Sequence, residues 1–239
     1  VRSSAAANTL TIDEDIIIQG AGRLVNNIGG MINNGTIIAD QANQLVIDTN
    51  GEGFVQSGVL RATGTGGIFI QNTPTFTNTA GIDIKTGSKL DVFASTIIGG
   101  EINIAPTASV TFRANTNLDG LTINGDVTHN NADTVNLFNG LTLNGQWNMN
   151  AGVNPTSLVF HDSSTLTGVG TLNLSDSLNN IVRSNAASHV LTIDQDIIIQ
   201  GAGRLVNDVG GMINNGTIIA DESNQLVIDT NGEGFVQSG

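Results

Sequence analysis

Cysteine and tyrosine are absent from this chain, and proline occurs only three times in 239 residues. Without cysteine there can be no disulfide staples and no thiolate-ligated metal. Basic residues are scarce: 8 Lys and Arg stand against 21 Asp and Glu, a formal net charge of −13. A phosphate backbone needs a basic patch, and so does an anionic bilayer surface, so the acidic balance argues against nucleic acid and disfavours an anionic membrane surface. No apolar run approaches the roughly 18 residues of a membrane-spanning helix. The opening "VRSSAAANTL" has neither a basic start nor an apolar core, so no signal peptide is expected there.

Glycine, by contrast, is abundant, at 30 residues, and Asn, Thr, Ile and Leu fill much of the rest. Thr, Ile and Val in short runs, punctuated by Gly and Asn, predict many short strands joined by tight corners. Gly and Asn interrupt every candidate helical window.

Residues 1–58 and 182–239 are near copies, identical at 49 of 58 positions and offset by 181. The differences are mild, such as Glu14 against Gln195, Asn27 against Asp208 and Ile28 against Val209. Such a repeat decides the architecture before any local reading does. It implies a tandem array in a longer protein: residues 1–181 as one full repeat of eight turns, and 182–239 as the start of the next.

A finer period runs inside the long one. The segments "GTIIADQANQLVI", "GVLRATGTGGIFI", "GIDIKTGSKLDV" and "GEINIAPTASVTF" each read as strand, corner, strand. Markers at Leu10, Ile37, Leu60, Ile82, Ile102, Leu121, Leu141, Thr165, Leu191 and Ile218, apolar at all but Thr165, recur in steps of 19–27 residues. Strands of three to five residues, three to a turn, coil into a stack with rungs about 4.8 Å apart. The predicted fold is therefore all-β: a single-stranded parallel β-helix, or β-solenoid, of about ten turns of 19–27 residues, continuous over 1–239. Inward positions stack Ile on Leu, while Thr122, Asn103, Asp83 and Arg61 point outward. Asn-Gly pairs beginning at Asn34, Asn50, Asn124, Asn139, Asn144, Asn215 and Asn231 turn the chain. A hairpin sandwich is rejected, because hairpins would space sequential strands about 8–12 residues apart.

The stretch "GRLVNNIGGMINNGTIIADQANQLVID", followed by "GFVQSGVLRATGTGGIFI", resembles the repeats of filamentous haemagglutinin and autotransporter passengers. Gly30, Ile32, Asn34, Gly35, Ile37 and Ala39 carry the pattern, then Gly58, Leu60 and Ala62; "STLTGVGTLNLS" at 164–175 resembles a further unit. The resemblance implies a right-handed β-helix within a large exported bacterial surface protein, extracellular or on the cell surface. It carries over no catalytic residue.

Several stretches imitate sites. "DTNGEG" at 48–53, repeated at 229–234, places Asp48, Asn50, Glu52 and Gly53 as in the first half of a calcium loop. The twelfth position, which needs a bidentate Glu, is Val59, and the flanks are strands; a corner is expected there, with its acids facing water. "IIIQGAGRLV" imitates a dinucleotide fingerprint through Gly20 and Gly22, but the third glycine position is Val25 and no helix follows. His129, His161 and His189 lack zinc-ligand spacing and are expected to be exposed; "HDSS" at 161–164 holds triad residue types on one strand, whose side chains alternate between faces. Charge of both signs gathers at Asp83, Asp91 and Glu101 with Lys85, Lys89 and Arg113, the one candidate carbohydrate-cleaving cluster. Trp147 and Phe54, Phe69, Phe76, Phe93, Phe112, Phe138, Phe160 and Phe235 are expected to fill the core rather than form a sugar platform. Threonines in "TLTI", "TFTNT" and "VTF" do not recur at one fixed place, which disfavours an ice-binding ladder.

No catalytic, cofactor-binding or metal residue is assigned. The expected function is a structural or adhesive stalk segment without catalysis. Its partners would be adjacent repeats stacked end to end, and host or neighbouring-cell surface glycans or proteins. The alternatives are a carbohydrate-binding or carbohydrate-cleaving β-helix, and a subunit of an extracellular filament or sheath whose open strand edges dock on neighbours.

Overall fold

Alternation of period two, with Gly and Asn at the breaks, produces strands of three to five residues wherever a side chain can be buried every second position. The computed structural model describes residues 1–239 apart from Ser3, Ala6, Asn50, Gly232 and Gly239. Among the described residues every regular element is a strand, and all the strands pair in parallel, stacked in a β-solenoid of about ten turns. Among the described residues no helix is long and apolar enough to cross a membrane. The chain forms two compact units, Val1–Thr111 and Phe112–Gly239.

In the first unit three ladders rise side by side. One runs through Thr9–Ile12, Gly30–Asn33, Phe54–Gln56, Phe76–Asn78 and Thr96–Ile98. The second runs through Ile17–Gln19, Thr36–Ala39, Val59–Ala62, Ile82–Ile84 and Glu101–Ile104. The third runs through Gly22–Leu24, Leu45–Ile47, Ile68–Gln71 and Lys89–Phe93. Every third strand pairs, so each turn contributes one strand to each face. Ile37, Leu60, Ile82 and Ile102 are all buried, as are Leu45, Ile68 and Leu90 on the third ladder. Each such side chain contributes roughly 1.5–3 kcal/mol of burial. Phe54 and Phe76 stack with ring centroids 4.9 Å apart.

The second unit repeats the scheme with longer rungs. Thr116–Asn124 and Thr134–Asn144 each bend at a glycine and serve two ladders. The first halves lead through Thr156–Phe160, Asn180–Ser184, Gly203–Leu205 and Leu226–Ile228. The second halves lead through Thr165–Thr167, Val190–Ile193, Gly211–Asn214 and Phe235–Gln237. The third ladder is Val127–Asn130, Gln146–Asn150, Thr171–Leu174, Ile198–Gly201 and Thr217–Ile219. The bends at Gly120 and Gly140 have φ of 60° and 80°, a conformation in which a Cβ is strained. Trp147 is fully buried, stacked on Phe112 at 5.5 Å.

The register corrects part of the marker series. Ile37 pairs with Leu60, and Ile82 with Ile102, as the spacing indicates. Leu10, however, pairs with Met31, and the residue beneath Ile37 is Ile18. Leu141 stacks on Leu166 rather than Thr165; Leu191 pairs with Met212, and Ile218 with Ile199. "LTI" and "III" alternate equally well, so spacing alone cannot say which of two neighbouring strands continues a column.

The core is not wholly apolar. Asn33, Gln56 and Asn78 are buried at one corner of successive turns. Asn33 Nδ2 donates to Gln56 Oε1 at 2.9 Å, Gln56 Nε2 to Gly58 O at 2.7 Å, and Asn78 Nδ2 to Glu101 O at 3.0 Å. These amides serve the backbone groups that the corners turn away from the ladders, which would be costly to bury unpaired. The second copy repeats the arrangement, Asn214 Nδ2 donating to Gln237 Oε1 at 2.9 Å. Both copies also place three consecutive residues at positive φ: Val25, Asn26 and Asn27 at 71°, 54° and 60°, and Val206, Asn207 and Asp208 at 70°, 49° and 60°. A β-branched residue there is strained; burial of Val25 and Val206 and the bonds Asn27 N to Asp48 O (2.6 Å) and Asp208 N to Asp229 O (2.7 Å) hold the corner.

Candidate functional site

The half-calcium loop is a corner in which one oxygen of its leading carboxylate is already engaged and the other is buried without a partner. Asp48 is 6% exposed, contrary to the expectation that its carboxylate faces water. Its Oδ2 accepts from Gln71 Nε2 at 2.8 Å and Arg23 Nη1 at 3.5 Å. Glu52 does face water, and Asn50 lies outside the described residues. Gly53 has φ 71°, and a Cβ on it would overlap the Thr75 carbonyl. The glycine that imitated the sixth position of a calcium loop is therefore required by the coil. Gly20 and Gly22 likewise lie at a corner between strands Ile17–Gln19 and Gly22–Leu24, with no helix following.

The mixed charge cluster is engaged in contacts of its own. Asp83 binds Arg61 Nη2 at 3.0 Å and Lys85 Nζ at 3.2 Å. Burial alone would raise its pKa, but the hydrogen bonds and charges of Arg61 and Lys85 outweigh that and hold it below the ordinary value. Asp91 lies on a different ladder and accepts from Gln44 Nε2 at 3.2 Å. Glu101 accepts from Asn103 Nδ2 at 3.1 Å. Arg113 belongs to the second unit. Among the described residues no group of three or more His, Asp and Glu is placed to hold a metal ion.

The histidines differ from the exposed residues expected. His129 is fully buried, with its ring edge on Trp147 at 6.1 Å. Its Nε2 lies 3.0 Å from the Asp133 carbonyl and so donates to it, leaving a buried Nδ1 without a partner. Burial pushes its pKa down to about 4 despite that hydrogen bond. His161 is half-buried and stacks on Phe138 at 4.5 Å. Asn185 Nδ2 donates to its Nδ1 at 2.9 Å, so its Nε2–H donates to Asn136 Oδ1 at 2.9 Å. Burial lowers its pKa, as does the Arg183 charge, while Asp162 opposes. The "HDSS" residues face separate partners: Asp162 Oδ2 accepts from Asn139 N at 2.7 Å, and Ser163 Oγ from Val190 N at 3.1 Å.

The aromatic residues divide as their alternation dictates. Phe54, Phe76, Phe112, Phe160 and Trp147 are fully buried, whereas Phe69 and Phe235 are half-buried and Phe93 is exposed. Threonines do form one short column that the sequence spacing missed. Thr122 pairs with Thr142, and Thr142 Oγ1 lies 3.0 Å from Thr167 Oγ1.

Sequence reasoning also missed a groove of about 560 Å³ in the second unit, lined by Asn139, Thr142, Asp162, Ser163, Ser164 and Thr165. It follows the corners "DG" at 119, "NG" at 139 and "DSS" at 162, which lie on successive turns. Asn139 Nδ2 donates to Asp119 Oδ1 at 2.6 Å and its backbone N–H to Asp162 Oδ2 at 2.7 Å, so one residue bridges the two flanking acids. Asp162 Oδ1 and Ser164 Oγ are covered and have no protein partner. The lining offers hydroxyls, an amide and a carboxylate, a set suited to hydrogen-bonding a polyhydroxylated ligand. Comparison with family models, curated proteins and solved structures gives no match.

Proposed function

We propose that this chain is a structural and adhesive stalk segment of a large, repetitive bacterial cell-surface or secreted protein, with no catalysis of its own. Recurrence of fold at the sequence period carries the reading. Strands Thr9–Ile12, Gly30–Asn33, Leu45–Ile47 and Phe54–Gln56 return as Val190–Ile193, Gly211–Asn214, Leu226–Ile228 and Phe235–Gln237, each offset by 181. A module that folds alike wherever it recurs, and whose turns bond mainly to the turns before and after, adds length in proportion to repeat number. Its partners are adjacent repeats of the same polypeptide and glycans or proteins of an opposing cell surface. Measuring particle length against repeat number tests the proposal.

The groove at Asn139–Thr165 favours a second role, binding of a neutral saccharide, as an adhesive spot on the stalk. Titration of oligosaccharides against the chain and its Asp162→Ala variant tests that role; equal binding by the two would remove it.

A further inference from the structure

Asn-x-Ser/Thr triplets, the acceptor pattern for an N-linked sugar, occur at Asn34-Gly35-Thr36, Asn173-Leu174-Ser175 and Asn215-Gly216-Thr217. A fourth look-alike, Asn154-Pro155-Thr156, has proline in the middle, which the pattern forbids. The Asn34 and Asn215 triplets are one position in the two copies of the repeat, offset by 181. The modification needs an amide nitrogen with a hydrogen to lose, a hydroxyl two residues on, and room for a sugar ring. The structure tells the triplets apart on these grounds.

Asn173 lies within strand Thr171–Leu174, and both hydrogens of its amide are in use. Its Nδ2 donates to Asn148 Oδ1 at 2.9 Å and to Gln146 Oε1 at 3.1 Å. A sugar on that nitrogen would displace one of them, and its Oδ1 is already covered by protein. At the other two triplets the alternation points the acceptor outward. Asn33 and Gly35 are buried, Asn34 is exposed and Thr36 half-exposed; Asn214 and Gly216 are buried, Asn215 is half-exposed and Thr217 exposed. The main chain is pinned at each corner: Asn34 N and Thr36 N donate to Ile12 O and Ile16 O, both at 2.9 Å, and Asn215 N and Thr217 N to Ile193 O and Ile197 O, both at 3.0 Å. No hydrogen bond to a described residue holds the amide of Asn34 or Asn215. The middle residue is fixed as glycine by packing, since a Cβ on Gly35 or Gly216 would overlap the carbonyls of the turn beneath. Strand Thr9–Ile12 pairs on one side of the Asn34 turn and Phe54–Gln56 on the other, so the exposure belongs to the corner and not to an end of the stack. The residues in line with Asn34 on those turns, Asp13 and Ser57, are small and exposed, which leaves room for a ring.

We propose that Asn34 and Asn215 are acceptor sites for an N-linked sugar, one in each copy of the repeat, and that Asn173 is not. The donor is a sugar joined through its anomeric carbon to a diphosphate, on a nucleoside or a lipid carrier, and a separate transferase catalyses the step. The Asn Nδ2 forms a bond to the anomeric carbon as the bond from that carbon to the diphosphate oxygen breaks. The oxygen leaves with the electron pair, and the amide gives one proton to a base of the transferase. The product costs the fold no hydrogen bond and no repacking at either corner. The inference goes beyond the stalk reading and does not depend on how the repeats add length.

Peptide mass spectrometry of the protein purified from the cells that make it tests the assignment. Cleavage after arginine places Asn34 in peptide 24–61, Asn173 in 114–183 and Asn215 in the peptide that starts at Leu205. The first and last are told apart by Asn27 against Asp208. Both should carry a mass increase of one or more whole sugar residues on the asparagine, and peptide 114–183 should carry none. Thr36→Ala with Thr217→Ala, made in the same cells, should abolish the increase, and Thr36→Ser with Thr217→Ser should keep it. Peptides 24–61 and 205 onward without sugar overturn the proposal, and so does a shift there that only converts the Asn-Gly amide to an acid. Sugar on Asn173 to the same extent overturns the selection by structure. Sugar that persists in the alanine variant overturns the role of the threonines.

Discussion

His129 makes the second unit acid-sensitive in a way that can be calculated. The ring is buried against Trp147, and its one hydrogen bond, Nε2–H to the Asp133 carbonyl, is available to the neutral form. Protonation would place a second N–H on Nδ1, which has no partner in the protein, and would bury a charge. The folded pKa is accordingly about 4 against an ordinary 6.5. Above about pH 6.5 both folded and unfolded chains are neutral at this ring, and the shift has no effect. As the pH falls from 6.5 towards 4, the unfolded chain takes up a proton that the folded chain refuses. Stability then drops by about 1.36 kcal/mol per pH unit, about 3 kcal/mol in all, and levels off below pH 4. His161, also lowered, adds to the loss in the same direction. Trp147 is the only tryptophan, so its fluorescence during urea unfolding reports on this turn. The assay is urea unfolding at pH 7.5 and at pH 4.5, for the unmodified chain and for His129→Leu. The unmodified chain should lose most of the 3 kcal/mol and the variant should lose much less. Equal losses in the two chains would refute the burial of a neutral His129.

Other expectations follow from the same contacts. Trp147→Ala removes the largest buried side chain and its stack on Phe112, and should cost about 3–5 kcal/mol; a circular-dichroism melt unchanged within error would contradict the packing. Gly35→Ala would drive a Cβ into the carbonyls of Asp13 and Ile16, and should cost on the order of 1–3 kcal/mol by the same assay. Calcium at millimolar concentration should leave the melting temperature unchanged, because Asp48 is held by Gln71 and Arg23; a rise of several degrees would restore the metal reading of that corner. Asp83→Ala breaks half-exposed ion pairs with Arg61 and Lys85 and should cost less than about 1 kcal/mol; a loss of several kcal/mol would mark the trio as more than a solvated ion pair.

The sequence displayed its coil because two signals agreed: alternation within strands, and Gly or Asn at the breaks. The column Ile37–Leu60 and the pair Ile82–Ile102 were legible from spacing alone. Leu10 was not, since "TLTI" and "DIIIQ" are equally good strands and only pairing decides which one underlies Ile37. The buried amides Asn33, Gln56 and Asn78 were hidden because Asn at a strand end reads as turn chemistry; its second use, satisfying corner backbone, needs the neighbouring turn. His129 carried an available signal: it lies two residues after inward Val127 on one strand, so alternation turns it inward as well. Val25 at φ 71° had none, because a β-branched residue is the last one expected there. The groove by Asp162 depends on corners about twenty residues apart, whose alignment is fixed only by how each turn closes.

The central claim is that the 181-residue unit adds length by stacking. Electron microscopy of the chain beside versions carrying one and two further copies of residues 1–181 tests it most directly. At about eight turns per repeat and about 4.8 Å per turn, each added copy should lengthen the particle by about 40 Å at constant width. Particles that grow in width, or separate into beads on a flexible string, would contradict it.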